Sequence, residues 1–242
     1  MTLGIFDSGL GGLTVVKEIK KLHPTANIIY LGDTARVPYG TRSKEIIEKF
    51  AIEDAKFLEN RGVDKIIIAC NTVSALAYDA VCNAVNVPVI EIISTAVQAA
   101  KKASKTGKIG VIGTRATINS GAYNYLGLAC PLLVPLIEEG EISGELIKLA
   151  LYKYLQEVKT WNVDTLILGC THYPIISKLI DIFFDGHITL INPGLELAKS
   201  LIIDVGVGKR EYFVTDLTTR FVNTAEMFLG ENIGAKIRLT KL

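Results

Sequence analysis

Disulfide scaffolds, metal clusters and membrane spans all lack their raw material in this chain. Its 242 residues include four cysteines, three histidines and one tryptophan. None of the cysteines, Cys70, Cys82, Cys130 and Cys170, forms a Cys-x-x-Cys pair, and their spacing is too sparse for a disulfide framework. They read as thiols of a reducing, cytoplasmic compartment. Cys170 and His172 form a lone Cys-x-His with no second ligand pair, a poor match to zinc spacing, so no metal is expected. Apolar runs such as Ile66–Cys70 and Thr165–Leu168 are a few residues long, whereas a bilayer helix needs about 18. The amino terminus meets Asp7 before an apolar run develops, which predicts no targeting segment. Charge of one sign is missing as well: 26 basic against 25 acidic side chains leave a formal net charge of +1. Such a balance gives no bulk attraction for nucleic acid or anionic lipid, and it leaves room for a small anion held by local dipoles.

What the chain does contain is an alternation. Short β-branched runs at Leu3–Phe6, Ile28–Leu31, Ile66–Ala69, Val89–Ile92, Ile109–Ile112, Thr165–Leu168 and Thr189–Ile191 predict strands. Between them, segments of helical period predict helices at Leu13–Leu22, Ser43–Asn60, Ser74–Val85, Ser94–Lys105, Thr117–Leu126, Ser143–Lys159, Ile175–Phe183 and Gly194–Asp204. The last residues add a strand at Tyr212–Val214, a helix near Thr218–Leu229 and a strand near Ile237–Leu239. This pattern builds parallel sheets covered by helices on both faces, and the continuously apolar strands fit that burial. The fold class is therefore α/β. An internal echo divides it: Ile66–Thr72 and Leu166–His172 are each an apolar strand, a small residue, a cysteine, then hydrogen-bonding side chains and a helix. The two cysteines stand 100 residues apart. Two similar lobes would each place a cysteine at the carboxyl end of a strand, where open α/β sheets bind ligands. A cysteine opening a helix is also where thiols become reactive.

Other motifs gather at the same kind of position. Phe6-Asp7-Ser8-Gly9-Leu10-Gly11-Gly12-Leu13 follows a strand and opens a helix, so its amides can cradle an anion. It is not a dinucleotide fingerprint, because Thr14 occupies the third glycine position. Val37-Pro38-Tyr39-Gly40-Thr41 is a rigid turn in which Gly40 permits close approach of a ligand. Asn71 and Thr72 offer an amide and a hydroxyl suited to a carboxylate. Thr114 and Thr117 bring further hydroxyls to a strand end. His172 stands where it could hold a thiolate or move its proton. By composition alone Glu138 and Glu139 read as a solvated acidic turn, His23 and His187 as surface residues, and Cys82 and Cys130 as structural.

Taken together, FDSGLGGL (6–13), GDTARVPYGT (32–41), ACNT (69–72), GTRAT (113–117), VPLIEEG (134–140) and LGCTHYP (168–174) resemble the glutamate racemase family of the cofactor-independent aspartate/glutamate racemase superfamily. The matching motifs keep family order across roughly the first 175 residues. The chain departs from the common pattern at Asn192-Pro193-Gly194 and at Val214-Thr215-Asp216.

The resemblance implies two α/β lobes, each a mainly parallel sheet flanked by helices, with the active site in the cleft between them. Residues 1–93, completed by 206–242, would form one lobe and 94–205 the other. It implies Cys70 and Cys170 as acid/base thiols on opposite faces of the substrate, Asp7 assisting Cys70, and His172 assisting Cys170 with Glu138 as its partner. Ser8, Tyr39, Gly40, Asn71, Thr72, Thr114, Thr117 and Thr171, with Asp7 and His172, would hold the amino acid. The activity implied is interconversion of L- and D-glutamate without a cofactor, supplying D-glutamate for peptidoglycan, in an enzyme whose family members often form homodimers. Two other readings stand beside it: a racemase for aspartate or a related small acid, and a non-catalytic amino-acid-binding protein.

Overall fold

The computed structural model describes residues 1–204 and 206–242, apart from the side chains of residues 219, 220 and 235. Two parallel sheets organise it, one of six strands and one of four. In the first, the strands are β1 (Thr2–Asp7), β2 (Asn27–Gly32), β3 (Lys65–Ile68), β4 (Val89–Glu91), β9 (Arg210–Val214) and β10 (Ile237–Leu239), in the order β10-β9-β2-β1-β3-β4. The second contains β5 (Ile109–Gly113), β6 (Leu126–Ala129), β7 (Thr165–Gly169) and β8 (Thr189–Ile191), in the order β6-β5-β7-β8.

The helices lie on both faces, as buried strands require. They are α1 (Gly12–Leu22), α2 (Lys44–Glu59), α3 (Asn71–Ala84), α4 (Ile93–Ala103), α5 (Arg115–Asn119), α6 (Leu133–Glu138), α7 (Glu145–Thr160), α8 (Ser177–Phe183), α9 (Pro193–Ser200) and α10 (Thr219–Leu229). Side-chain alternation along β1 sends Leu3 and Ile5 into one core and Phe6 into another. The first core passes under α1 and α9 and continues into the second sheet. The second lies beneath α2 and α3. Since α9 packs on both α1 and α4, apolar burial ties the two sheets together.

Strand order then decides where a ligand can sit. The chain leaves β1 for β2 on one side and returns to β3 on the other, so its direction reverses at β1. A second reversal occurs at β5, between β6 and β7. Crevices open at the carboxyl ends of strands flanking such reversals. Here those ends carry Asp7, Cys70, Thr114 and Cys170.

Most predicted elements are present, with differences in the second sheet. Residues 117–126 are not one helix. Helix α5 ends at Asn119, Gly121 takes φ 69°, and Leu126 begins the edge strand β6. The edge position leaves Leu126 exposed, which weakens the alternation by which strands are read. Glu138 is the last residue of helix α6 rather than part of a turn, and Glu139 begins the turn that follows. His23 is half-buried rather than a surface residue, with its Nε2 2.9 Å from the Ala198 carbonyl. His187 is exposed, as predicted. The strand-end echo is also imperfect: Cys70 is the N-cap of α3, whereas Cys170 is followed by a 3-10 turn (Tyr173–Ile176) before α8 begins. Among the described residues, no helix is long and apolar enough to cross a membrane.

Candidate active site

A cavity of about 510 Å³ opens where the two sets of strand ends face each other. Eleven of the thirteen residues singled out from sequence line it: Ser8, Tyr39, Gly40, Cys70, Asn71, Thr72, Thr114, Glu138, Cys170, Thr171 and His172. The other two, Asp7 and Thr117, are buried directly behind the lining and bonded to it. Both cysteines are 6% exposed, so each sulfur is shielded from bulk water yet open to the cavity. Cys130 also reaches the wall, and burial holds its thiol well above the ordinary range.

The two thiols have unequal surroundings. Cys70 caps α3, and a helix N-terminus normally lowers a thiol pKa. Burial outweighs this and, with the nearby Asp7 charge, pushes Cys70 up to about 12, against help from the Ser8 hydroxyl 3.5 Å away and the Val73 amide. Asp7 is itself raised by burial, partly offset by the His172 charge and by the amides of Gly12 and Gly9. Gly9 N–H donates to Asp7 Oδ2 at 3.0 Å, and the Thr171 hydroxyl donates to Oδ1 at 3.4 Å.

The neighbour of Cys170 is an imidazole instead of a carboxyl group. His172 Nδ1 lies 3.7 Å from the Cys170 sulfur and its Nε2 lies 2.9 Å from Glu138 Oε1. Burial works against the imidazolium, but these two hydrogen bonds and the charges of Cys170 and Glu138 more than compensate and hold His172 up to about 10. Helix α6 turns Glu138, its last residue, toward the histidine. The solvated-turn reading of Glu138 is therefore overturned by the ring it meets across the cavity.

Hydroxyl and amide donors line the space between. Thr72, Thr114 and Thr117 form a triangle of oxygens at 2.9, 3.2 and 2.9 Å, joining α3 to the N-cap of α5. Asn71 Oδ1 accepts a hydrogen bond from the Tyr123 hydroxyl at 2.5 Å, which leaves its Nδ2 buried without a partner among the described residues. An unsatisfied buried donor costs about 1–3 kcal/mol, which a ligand acceptor would recover. Thr14 donates across the sheets to the Thr171 carbonyl at 2.8 Å and so fixes the Cys170 loop against α1.

Sequence reading missed the support beneath Tyr39. Tyr39 belongs to the cavity wall, and its hydroxyl is hydrogen-bonded to buried Asp33 and 3.3 Å from buried Asp54. Arg36 donates to Asp33 at 2.6 Å and to Asp54 at 3.2 Å, and also pairs with Glu53. Burial, reinforced by Asp33, pushes Asp54 well above the usual carboxylate range. Thr215 donates to Asp33 at 2.8 Å, so the segment where the chain departs from the family pattern anchors this turn. The other departure, Asn192, caps α9 by accepting from the amides of Gly194 and Leu195. Among the described residues, no group of three or more His, Cys, Asp or Glu side chains is arranged to hold a metal ion.

The arrangement offers two sulfurs, a buried anion beside one and a cation beside the other, and unspent donors for a carboxylate. A profile of the Asp/Glu/Hydantoin racemase family matches residues 13–201. The glutamate racemase of Aquifex aeolicus is 45% identical over 98% of this chain and 97% of its own. That of Persephonella marina is 42% identical over 100% and 99%. The crystal structure of glutamate racemase from Francisella tularensis in complex with D-glutamate superposes with a TM-score of 0.89 at 38% identity, covering 99% of this chain and 97% of that one.

Proposed function

The chain belongs to the Asp/Glu/Hydantoin racemase family, and we propose that it is an isomerase interconverting L- and D-glutamate by proton transfer between two thiols. One observation carries this reading: two buried cysteines end strands of two separate sheets and open onto one cavity of about 510 Å³. Inverting an α-carbon requires a base on one face and an acid on the other. A thiol with a free pKa of about 8.5 can serve as either.

The steps balance without a co-reactant. A thiolate takes the α-proton and becomes a thiol; the opposed thiol delivers its proton to the carbanion and becomes a thiolate. In the forward direction the substrate is inverted and the enzyme is left with its two protonation states exchanged. Burial keeps Cys70 protonated at neutral pH, ready to act as the acid. On the other face, the imidazolium of His172, steadied by Glu138, balances negative charge at the Cys170 sulfur. Asp7 is placed to receive or return a proton on the Cys70 side. As the α-carbon loses its proton, charge spreads into the carboxylate. The Asn71 amide and the Thr72 and Thr114 hydroxyls, held in place from behind by Thr117, are preorganised donors for it, and a dry cavity strengthens them.

We assign Ser8, Tyr39, Gly40 and Thr171 to holding the rest of the amino acid. Lobes of 1–93 with 206–242 and of 94–205 would close upon it. The four free cysteines suit a reducing cytoplasm, where D-glutamate is needed for peptidoglycan. Near-full-length similarity to glutamate racemases favours glutamate over aspartate. The test is incubation with L-glutamate in heavy water, with no cofactor or metal added. Optical rotation should decay to zero as deuterium enters the α-carbon. Steady rotation without deuterium would refute the proposal, and turnover of aspartate alone would move the assignment to an aspartate racemase.

A further inference from the structure

Tyr123 lies outside every motif that carries the family resemblance, and it does not line the cavity. It is 3% exposed and belongs to the connection between α5 and β6, in the second sheet's part of the chain. Its hydroxyl reaches across to Asn71 Oδ1 at 2.5 Å. Asn71, 2% exposed, opens α3 in the first sheet's part and faces the cavity. Among the described residues Asn71 Nδ2 has no partner, although it is fully buried.

An asparagine amide can turn either way, and only its neighbours decide which end faces a ligand. Tyr123 has no other hydrogen-bond partner among the described residues. If the amide turned over, Nδ2 would occupy the phenol, the phenolic proton would lose its acceptor, and the carbonyl oxygen would face the cavity. That end repels a carboxylate. Burial, together with the charges of Glu91 and Cys170, keeps the phenol protonated far above neutral pH, so it remains a donor.

We propose that Tyr123 is a positioning residue for the racemase reaction: it locks the Asn71 amide with its NH2 group toward the cavity, where a substrate carboxylate oxygen accepts from it. Because the bond joins the two halves of the molecule, the donor is correctly turned only when those halves are docked.

This inference rests on the glutamate racemase reading, and a double-mutant cycle separates the two. Tyr123→Phe keeps the ring and removes the hydroxyl. In the otherwise unchanged enzyme it should lower kcat/KM for L-glutamate about tenfold, the net worth of one oriented hydrogen bond. In an Asn71→Ala background the same replacement should change kcat/KM less than about twofold, because nothing remains to orient. Glutamate should also raise the melting temperature of Tyr123→Phe less than that of the parent enzyme, a comparison that cancels any loss of apo stability. Equal losses in both backgrounds, or an unchanged kcat/KM in Tyr123→Phe, would overturn the positioning role. Failure of the unsubstituted enzyme to racemise glutamate would instead overturn the function itself.

Discussion

Replacing His172 with asparagine should flatten the dependence of stability on pH between about 6.5 and 10. The folded protein holds His172 up to about 10, while an unfolded chain releases the same proton near 6.5. Within that window the native state binds a proton that the denatured state has lost. Stability therefore falls as pH rises, being fully present below the unfolded value and lost on passing the folded one. At about 1.4 kcal/mol per unit, the interval amounts to at most about 5 kcal/mol. Urea unfolding at half-unit steps from pH 6 to pH 10 measures it. The variant will be less stable than the parent at low pH, and the difference should shrink steadily with rising pH. Parallel curves would mean that His172 carries no proton in the folded state, and the electrostatic account of the Cys170 face would fail.

Gly11→Ala would place a Cβ 2.0 Å from Thr171 Oγ1 and 2.7 Å from His172 Nδ1. A displacement of this size at a catalytic group should cost at least about tenfold in kcat/KM, while the circular dichroism of the folded protein is retained. Tyr39→Phe removes the hydroxyl shared by buried Asp33 and Asp54, so it should destabilise the protein by about 1–3 kcal/mol in urea titration. An unchanged unfolding midpoint would show that Arg36 alone suffices to balance the two acids.

The strands that carry the chemistry were legible because they are buried on both faces and therefore continuously apolar. The echo of Ile66–Thr72 in Leu166–His172 is enough to place Cys70 and Cys170 at corresponding strand ends. Edge strand β6 was hidden because Gly127 and exposed Leu126 blur its period. Pro135 within α6 interrupts the helical pattern, so the helix and the direction it gives Glu138 are not legible there. Composition alone cannot separate Glu138 from Glu139, since the distinction arises only when α6 turns one of them toward His172. The clamp of Asp33, Arg36, Asp54 and Thr215 draws on three separate segments, and the Asn71–Tyr123 bond spans 52 residues and both sheets. No local pattern encodes contacts of that range.

Two-sided proton transfer is the central claim, and exchange by single-thiol variants tests it most directly. Cys70→Ser and Cys170→Ser would each be incubated in heavy water with L-glutamate and, separately, with D-glutamate, and the α-carbon followed by proton NMR. Each variant should lose racemisation by about two to four orders of magnitude, the usual weight of a positioned acid or base. Each should still wash deuterium into one enantiomer without inverting it, and the two variants should choose opposite enantiomers. Exchange of the same enantiomer by both variants, or undiminished racemisation by either, would contradict the account.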